Sequence, residues 1–244
     1  MEASRAKRVA IIGVGRAGGA FGLALERAGW TVRRYHSTDD VHHAAKDVDL
    51  VLVCCPDLYV ADVAATIAPE KSTVIAHVAG SLGLDVMSGH ARTAAIHPLM
   101  ALPSAALGAE RLRGAWFAVA GDAIVHAVVA DLDGRSFEIA DADRALYHAA
   151  AVVASNHVVG VLGQAERLAH AVGAPFEAFA SLVRATVENV VALGPADALT
   201  GPAARGDEAT LGRHRAALPE DELDGYEAGV ALARRLVKRR QDEV

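Results

Sequence analysis

Arg8-Val9-Ala10-Ile11-Ile12-Gly13-Val14-Gly15-Arg16-Ala17-Gly18 is a short, β-branched run that breaks on three glycines spaced G-x-G-x-x-G. The run reads as a strand, and the alanine-rich residues 17–28 as the helix behind it. Each glycine then has a physical task. Gly13 permits a tight turn, Gly15 lets a phosphate approach bare backbone, and Gly18 lets helix and strand pack closely. Unbonded N–H groups and the positive end of the helix dipole face the turn and favour an anion such as pyrophosphate. Arg16 and Ala17 belong to the same expected cradle. A glycine turn without a ligand has the same spacing, but a turn between the first strand and first helix favours the dinucleotide reading.

Outward from this turn, short apolar runs alternate with helical stretches. Residues 31–35, 50–55, 73–78, 93–96, 116–120 and 137–139 read as further strands. Such alternation predicts βαβ units and a doubly wound, mostly parallel sheet, an α/β domain over residues 1–140. No strand pattern follows residue 140. Residues 144–172 read as one long helix, 177–193 as a second, 194–206 as a loop, and 208–218 and 220–240 as two more helices. An all-α domain is therefore expected over residues 141–244.

The end of the second strand bears on the cofactor. An NAD site usually carries an acid there for the ribose 2′-OH. This chain has Arg34, His36, Ser37 and Thr38, cationic and hydroxyl groups that suit a 2′-phosphate, so NADP is expected before NAD. Asp39 and Asp40, just beyond, support the opposite reading. Cys55 and Pro56, at the end of the third strand, complete the expected cofactor wall.

Ligands of doubly wound sheets bind beyond the carboxyl ends of the strands. His77 with Ser81, and His97, stand at two such ends, where either a satisfied turn or a ligand contact fits. Asp57 reads more readily as a helix N-cap. On the helix after Asp141, residues 149–154 are alanine and valine all round, the pattern of a buried helix. His148, Ser155 and Asn156 interrupt it, with His148 and Ser155 nearly on one line. The loop with Thr200 and Arg205 adds a cation able to fork onto a carboxylate. Asp207 fits an N-cap, and His214 a solvated helix residue.

Composition excludes several classes. The net charge is −6 over 244 residues, against a nucleic-acid partner. The basic residues 5–8 and 234–240 read as solvated tails. Cys54 and Cys55 are the two cysteines, and neighbours on a strand face opposite ways, so neither a disulfide nor a metal site is implied. The eleven histidines show no HxxxH spacing, and no metal is expected. No uninterrupted apolar stretch of about 20 residues and no signal-peptide core is apparent, so a cytoplasmic, non-membrane protein is expected.

With these residues in view, the chain resembles a bacterial oxidoreductase family that pairs a Rossmann-like domain with a helical C-terminal domain of unknown function. The matching stretches are GVGRAG at Gly13, HVAGS at His77, HPLM at His97, YHAAAVVASNH at Tyr147 and ALTGPAARGD at Ala198. That family is similar to pyrroline-5-carboxylate reductases, 3-hydroxyisobutyrate dehydrogenases and ketopantoate reductases. The resemblance implies NADP-dependent reduction of a small keto or imino acid, ketopantoate to pantoate among the choices, and a homodimer formed through the helical domain. Ketopantoate reductases use a lysine on an interdomain helix. Here lysine occurs only at positions 7, 46, 71 and 238, so another group must serve.

The expected chemistry is hydride transfer to a carbonyl carbon, with Asn156 orienting the carbonyl and His148 or His97 donating the proton. Arg205 and Ser81 would hold the substrate carboxylate, with His77, Ser155 and Thr200 beside them. An imino-acid reductase, or a non-catalytic NADP-binding sensor, fits the same cofactor residues.

Overall fold

The computed structural model describes residues 7–242; Arg5 and Ala6 of the N-terminal basic run lie outside them. The chain divides into two compact units, one through Ser155 and the other from Asn156 onward. In the first, five parallel strands, β1 (Arg8–Ile12), β2 (Thr31–Tyr35), β3 (Leu50–Val53), β4 (Val74–His77) and β5 (Thr93–Pro98), are joined by β6 (Trp116–Gly121) and β7 (Arg135–Glu138). The spatial order is β2-β1-β3-β4-β5-β6-β7. Only the β5–β6 pairing is antiparallel. The expected doubly wound, mostly parallel sheet followed by helices is what the chain forms.

β3 and β4 are buried along their whole length, as strands covered on both faces must be. Alternation along β1 sends Val9 and Ile11 to one apolar layer and Ala10 and Ile12 to the other. The first layer packs under α1 (Arg16–Arg27), α3 (Ala105–Leu112) and α4 (Ile124–Asp131); the second packs under α2 (Val60–Thr66). Ile11, Leu25, Leu50 and Leu52 are wholly buried, each worth roughly 1.5–3 kcal/mol. The third strand stops before the two cysteines, and Cys54 and Cys55 pack against opposite layers as their alternation requires.

The helical run after β7 is not one uniform helix. α5 (Arg144–Val152) passes through a π turn (Val153–His157) into α6 (Val158–Ala171). A π turn adds a residue to the helical register, so Ser155 leaves the line it would share with His148 on an ideal helix. Nor is this run buried: Val153 is 55% and Val159 71% exposed. The run Asp141–Ala171 is 31 residues and contains an 18-residue window with a mean hydropathy of 1.4, long and apolar enough to cross a membrane by length and composition alone. Counting only uninterrupted apolar stretches missed it, because isolated polar residues divide the sequence without ending the helix.

The second unit continues with α7 (Ala180–Leu193), α8 (Pro195–Ala198), α9 (Pro202–Arg205), α10 (Glu208–Ala217) and α11 (Glu220–Asp242). Residues 194–206 are therefore two short helices rather than an open loop. Gly194 and Gly201, with φ of +80° and +92°, each precede a proline at the first helical position, so each Gly-Pro pair starts a new turn. Asp207 caps α10 by accepting the Thr210 N–H at 3.0 Å, as expected. A forked Arg167–Glu222 pair, with the Gln164 amide donating to the Glu222 carbonyl at 2.8 Å, ties α6 to α11.

Candidate functional site

The glycine turn is built as the spacing demands. Gly13 holds φ +89°, and a Cβ there would lie 2.9 Å from the Cys54 carbonyl oxygen, so no other residue fits without strain. Gly15 is the N-cap of α1 and offers no capping side chain, and a Cβ added to it would meet nothing within 4 Å. The N-terminus of α1 is thus an uncapped helix end with bare backbone before it, the arrangement that receives a phosphate. Arg16, Ala17 and Gly18 form its first turn.

A groove of about 690 Å³ starts at this turn. Gly13, Gly15, Cys55, Pro56, His36 and Ser37 line it. Tyr59, Asp62, Val63 and Thr66 line it too and were not singled out from sequence; they follow β3 with helical spacing, which was the available signal. Asp39 also reaches the groove, where its carboxylate accepts the His36 N–H at 2.7 Å.

Arg34 does not join this wall. Its guanidinium makes a two-pronged pair with Glu26 at 2.6 and 2.7 Å and lies over Gly22 of α1. Strand alternation explains it: Arg34 and Val32 share the α1 side, whereas Tyr35 turns to the other layer. Thr38 sits on the exposed turn beyond, outside the groove lining.

A second constellation gathers at the carboxyl ends of β4 and β5. His77 is fully buried and its Nε2 meets the Gly83 carbonyl oxygen at 3.1 Å. The Ser81 hydroxyl donates to Asp57 at 2.9 Å. Asp57 is therefore not the N-cap it resembles, since Pro56 holds that position and no side chain caps the turn. His97 Nδ1 lies 2.7 Å from the Tyr147 hydroxyl, and the His148 ring stands edge-on to His97 with centroids 5.8 Å apart. Gly80 makes room for both imidazoles: a Cβ there would lie 2.6 Å from His148 Cδ2 and 3.0 Å from His97 Nε2.

The structure thus brings His77, Ser81, His97 and His148 together, and adds Tyr147, Arg144 and Asp141, which sequence reasoning left without a role, and Asp57, which it read as a cap. Tyr147 was within reach, one residue before His148 on an otherwise apolar helix. Asn156 and Thr200 belong to the second unit, where both line a groove of about 730 Å³ with Gln164, Arg167 and Tyr226. Arg205, the last residue of α9, is exposed and outside that lining. Ser155 donates to the Ala151 carbonyl at 2.7 Å, within its own helix. His214 is not merely solvated: its Nδ1 meets the Tyr226 hydroxyl at 2.6 Å. Among the described residues no cluster of metal-ligating side chains occurs.

Electrostatics sharpen the histidine cluster. Burial, then the neighbouring His148, Arg144 and His77 charges, push His97 down from 6.5 to about 4, with Asp57 opposing. Burial also lowers His77 and raises the Tyr147 phenol to about 12. At neutral pH both imidazoles are uncharged and the phenol keeps its proton. A folded-state value below the unfolded one makes His97's contribution complete above pH 6.5 and lost as the pH falls towards 4. The full effect is about 3 kcal/mol. Urea unfolding of the wild type and of His97→Phe at pH 7 and pH 4.5 should show the smaller pH-dependent loss in the variant; equal losses would remove His97 as the source.

Residues 118–233 match the family described as Domain of unknown function (DUF2520). No curated protein matches the chain significantly. Among solved structures, a Bacteroides fragilis protein provisionally described as an NADP oxidoreductase is 20% identical, with a TM-score of 0.76 over 94% of this chain and 98% of its own. A reductive aminase from Aspergillus terreus, solved with NADPH4, cyclohexanone and allyl amine, is 17% identical with a TM-score of 0.70 over 98% and 94%. A 1-pyrroline-5-carboxylate reductase from Streptococcus pyogenes is 18% identical with a TM-score of 0.66 over 95% and 100%. At these identities the shared property is the fold, a Rossmann-like sheet followed by helices.

Proposed function

We propose that the chain is a nicotinamide-dependent oxidoreductase that takes NADPH in the glycine-turn groove and reduces the C=O or C=N bond of a small keto or imino acid. The observation that carries this reading is the groove itself, which runs from an uncapped helix N-terminus past bare Gly15 to His36 and Ser37. Its residues fit the cofactor. The α1 N–H groups would take the pyrophosphate, and His36 and Ser37 would face the 2′-phosphate. Asp39 spends its carboxylate on the His36 N–H, which leaves it poorly placed to claim a ribose 2′-OH. The likeness in fold to a reductive aminase and a pyrroline carboxylate reductase supports C=N as well as C=O substrates.

When bound, the cofactor supplies the hydride, and the chain supplies position and a proton. Tyr147, protonated and hydrogen-bonded to neutral His97, is the group we assign as proton donor, with His97 returning the proton from solvent. His148 flanks His97 and borders the same space. Asn156 and Thr200, expected from the sequence to contact the substrate, line the groove of the second unit, and Arg205 lies exposed outside it.

A second copy of the chain is part of the proposal. Among the described residues of the second unit, the buried apolar side chains are Ala169, Leu211 and Val230, whereas Leu182, Val187 and Val191 are more than half exposed. Helices so thinly cored and so apolar outside gain most by pairing.

Calorimetric titration with NADPH and NADH, followed by NADPH oxidation against ketopantoate and pyrroline carboxylate among a panel of keto and imino acids, tests the reading. NADPH should bind at least tenfold more tightly. Equal binding would overturn the NADP preference. Absence of binding would overturn the reductase, and binding without turnover across the panel would leave a sensor.

A further inference from the structure

Among the described residues, Arg144 is the one arginine that is wholly buried. Its charge is also poorly answered. Arg34 and Arg92 each present two nitrogens to a carboxylate near the surface. Arg144 offers only its Nε to Asp141, at 3.3 Å, and both terminal nitrogens, Nη1 and Nη2, are buried without a hydrogen-bond partner. A guanidinium taken out of water with its fork empty is destabilising by several kcal/mol. Nearby, His77 shows the converse. Its Nε2 must carry the hydrogen to meet the Gly83 carbonyl, so Nδ1 is an acceptor, and it too is buried without a partner. The Arg144 charge acts on His77, His97 and Tyr147, which places all four groups in one electrostatic neighbourhood.

We infer that Arg144 is a carboxylate-binding residue, its two terminal nitrogens taking the acid group of a small 2-hydroxy or 2-amino acid whose neighbouring O–H or N–H is accepted by His77 Nδ1. The chemistry of the orphan atoms selects this class. The fork donates and is positive, so its ligand accepts and is an anion; the planar two-oxygen match is a carboxylate. The lone pair on His77 repels a bare anion and asks for a donor one atom away. Asp141 connects the cluster to the surface, being 45% exposed, with its other oxygen on the Leu84 N–H at 2.9 Å. The assignment moves the carboxylate from Arg205, which is exposed, and from Ser81, whose hydroxyl is engaged by Asp57. It rests on the reductase reading for the acid being the reduced partner of a keto or imino substrate, but the binding test needs no turnover.

The full chain is titrated calorimetrically with 2-hydroxyisovalerate, its amide and isovalerate, with and without NADPH. The hydroxy acid is expected to bind, the amide at least about 30-fold more weakly because one acceptor is replaced by a donor and the opposing charge is lost, and isovalerate several-fold more weakly for want of the hydroxyl. Arg144→Gln should weaken the hydroxy acid by about 30-fold or more while NADPH affinity stays within about twofold. Equal binding of acid and amide, unchanged acid binding by Arg144→Gln, or no acid binding by the wild type would each overturn the assignment. The acid–amide comparison decides it even where the variant does not fold. Acid binding without NADPH binding would leave this site standing and the reductase reading fallen; NADPH binding without acid binding would do the reverse.

Discussion

Gly18→Ala should abolish NADPH binding and destabilise the first unit, although helix propensity alone would favour it by about 1 kcal/mol. A Cβ at residue 18 would stand 1.9 Å from the Gly13 carbonyl oxygen and 3.0 Å from Cys54 Cβ. The carbonyl is backbone and cannot swing aside, so the whole turn must move. Overpacking of that kind costs about 1–3 kcal/mol, more than the propensity gain, and the displaced backbone is the surface that receives the pyrophosphate. Gly212→Ala is the matched control, a helical glycine whose added Cβ meets nothing within 4 Å. It should stabilise by about 0.5–1 kcal/mol and leave binding untouched. Chemical denaturation with NADPH titration reads both effects; a Gly18→Ala protein that binds NADPH as the wild type does would show that the turn is not the cradle.

Tyr147→Phe should lower kcat by about 100- to 10,000-fold, the range for loss of a positioned proton donor. The substitution keeps the ring, which packs edge-on to His97 at 5.6 Å and Phe137 at 5.8 Å between centroids, and removes only the hydroxyl. NADPH affinity and stability should therefore change little. A retained kcat would transfer the role to His148, and His148→Gln would then show the larger loss.

Much of the sheet could be read from the chain because its strands are short, β-branched and buried, and glycines and prolines punctuate them. The glycine turn was equally plain, since its function lies in backbone and spacing. Side-chain direction was harder. Arg34 looked like a phosphate ligand from its place in sequence, but one step of strand alternation gave it to Glu26 instead. Asp57 looked like a cap, yet Ser81, twenty-four residues away, holds it. Arg144 and Tyr147 acquire meaning only when the start of α5 reaches the ends of β4 and β5, a long-range contact that no local pattern encodes. The short helices at 194–206 were legible in principle through the repeated Gly-Pro.

The antiparallel pairing of β6 with β5 also separates two meanings of the word domain. The family match begins at residue 118, inside β6, and takes in β7 and all the later helices to residue 233. Yet Val119 pairs with Ile96 of β5, and Val119, Val125, Val128 and Leu132 are buried in the same apolar layer as Ile11 and Leu52. A polypeptide cut at residue 118 would present β6 as a bare edge strand and strip the cover from those side chains, a template for aggregation. The segment that sequence comparison isolates is thus not a unit of folding, since its strands complete a sheet and an apolar layer that the glycine-turn half begins.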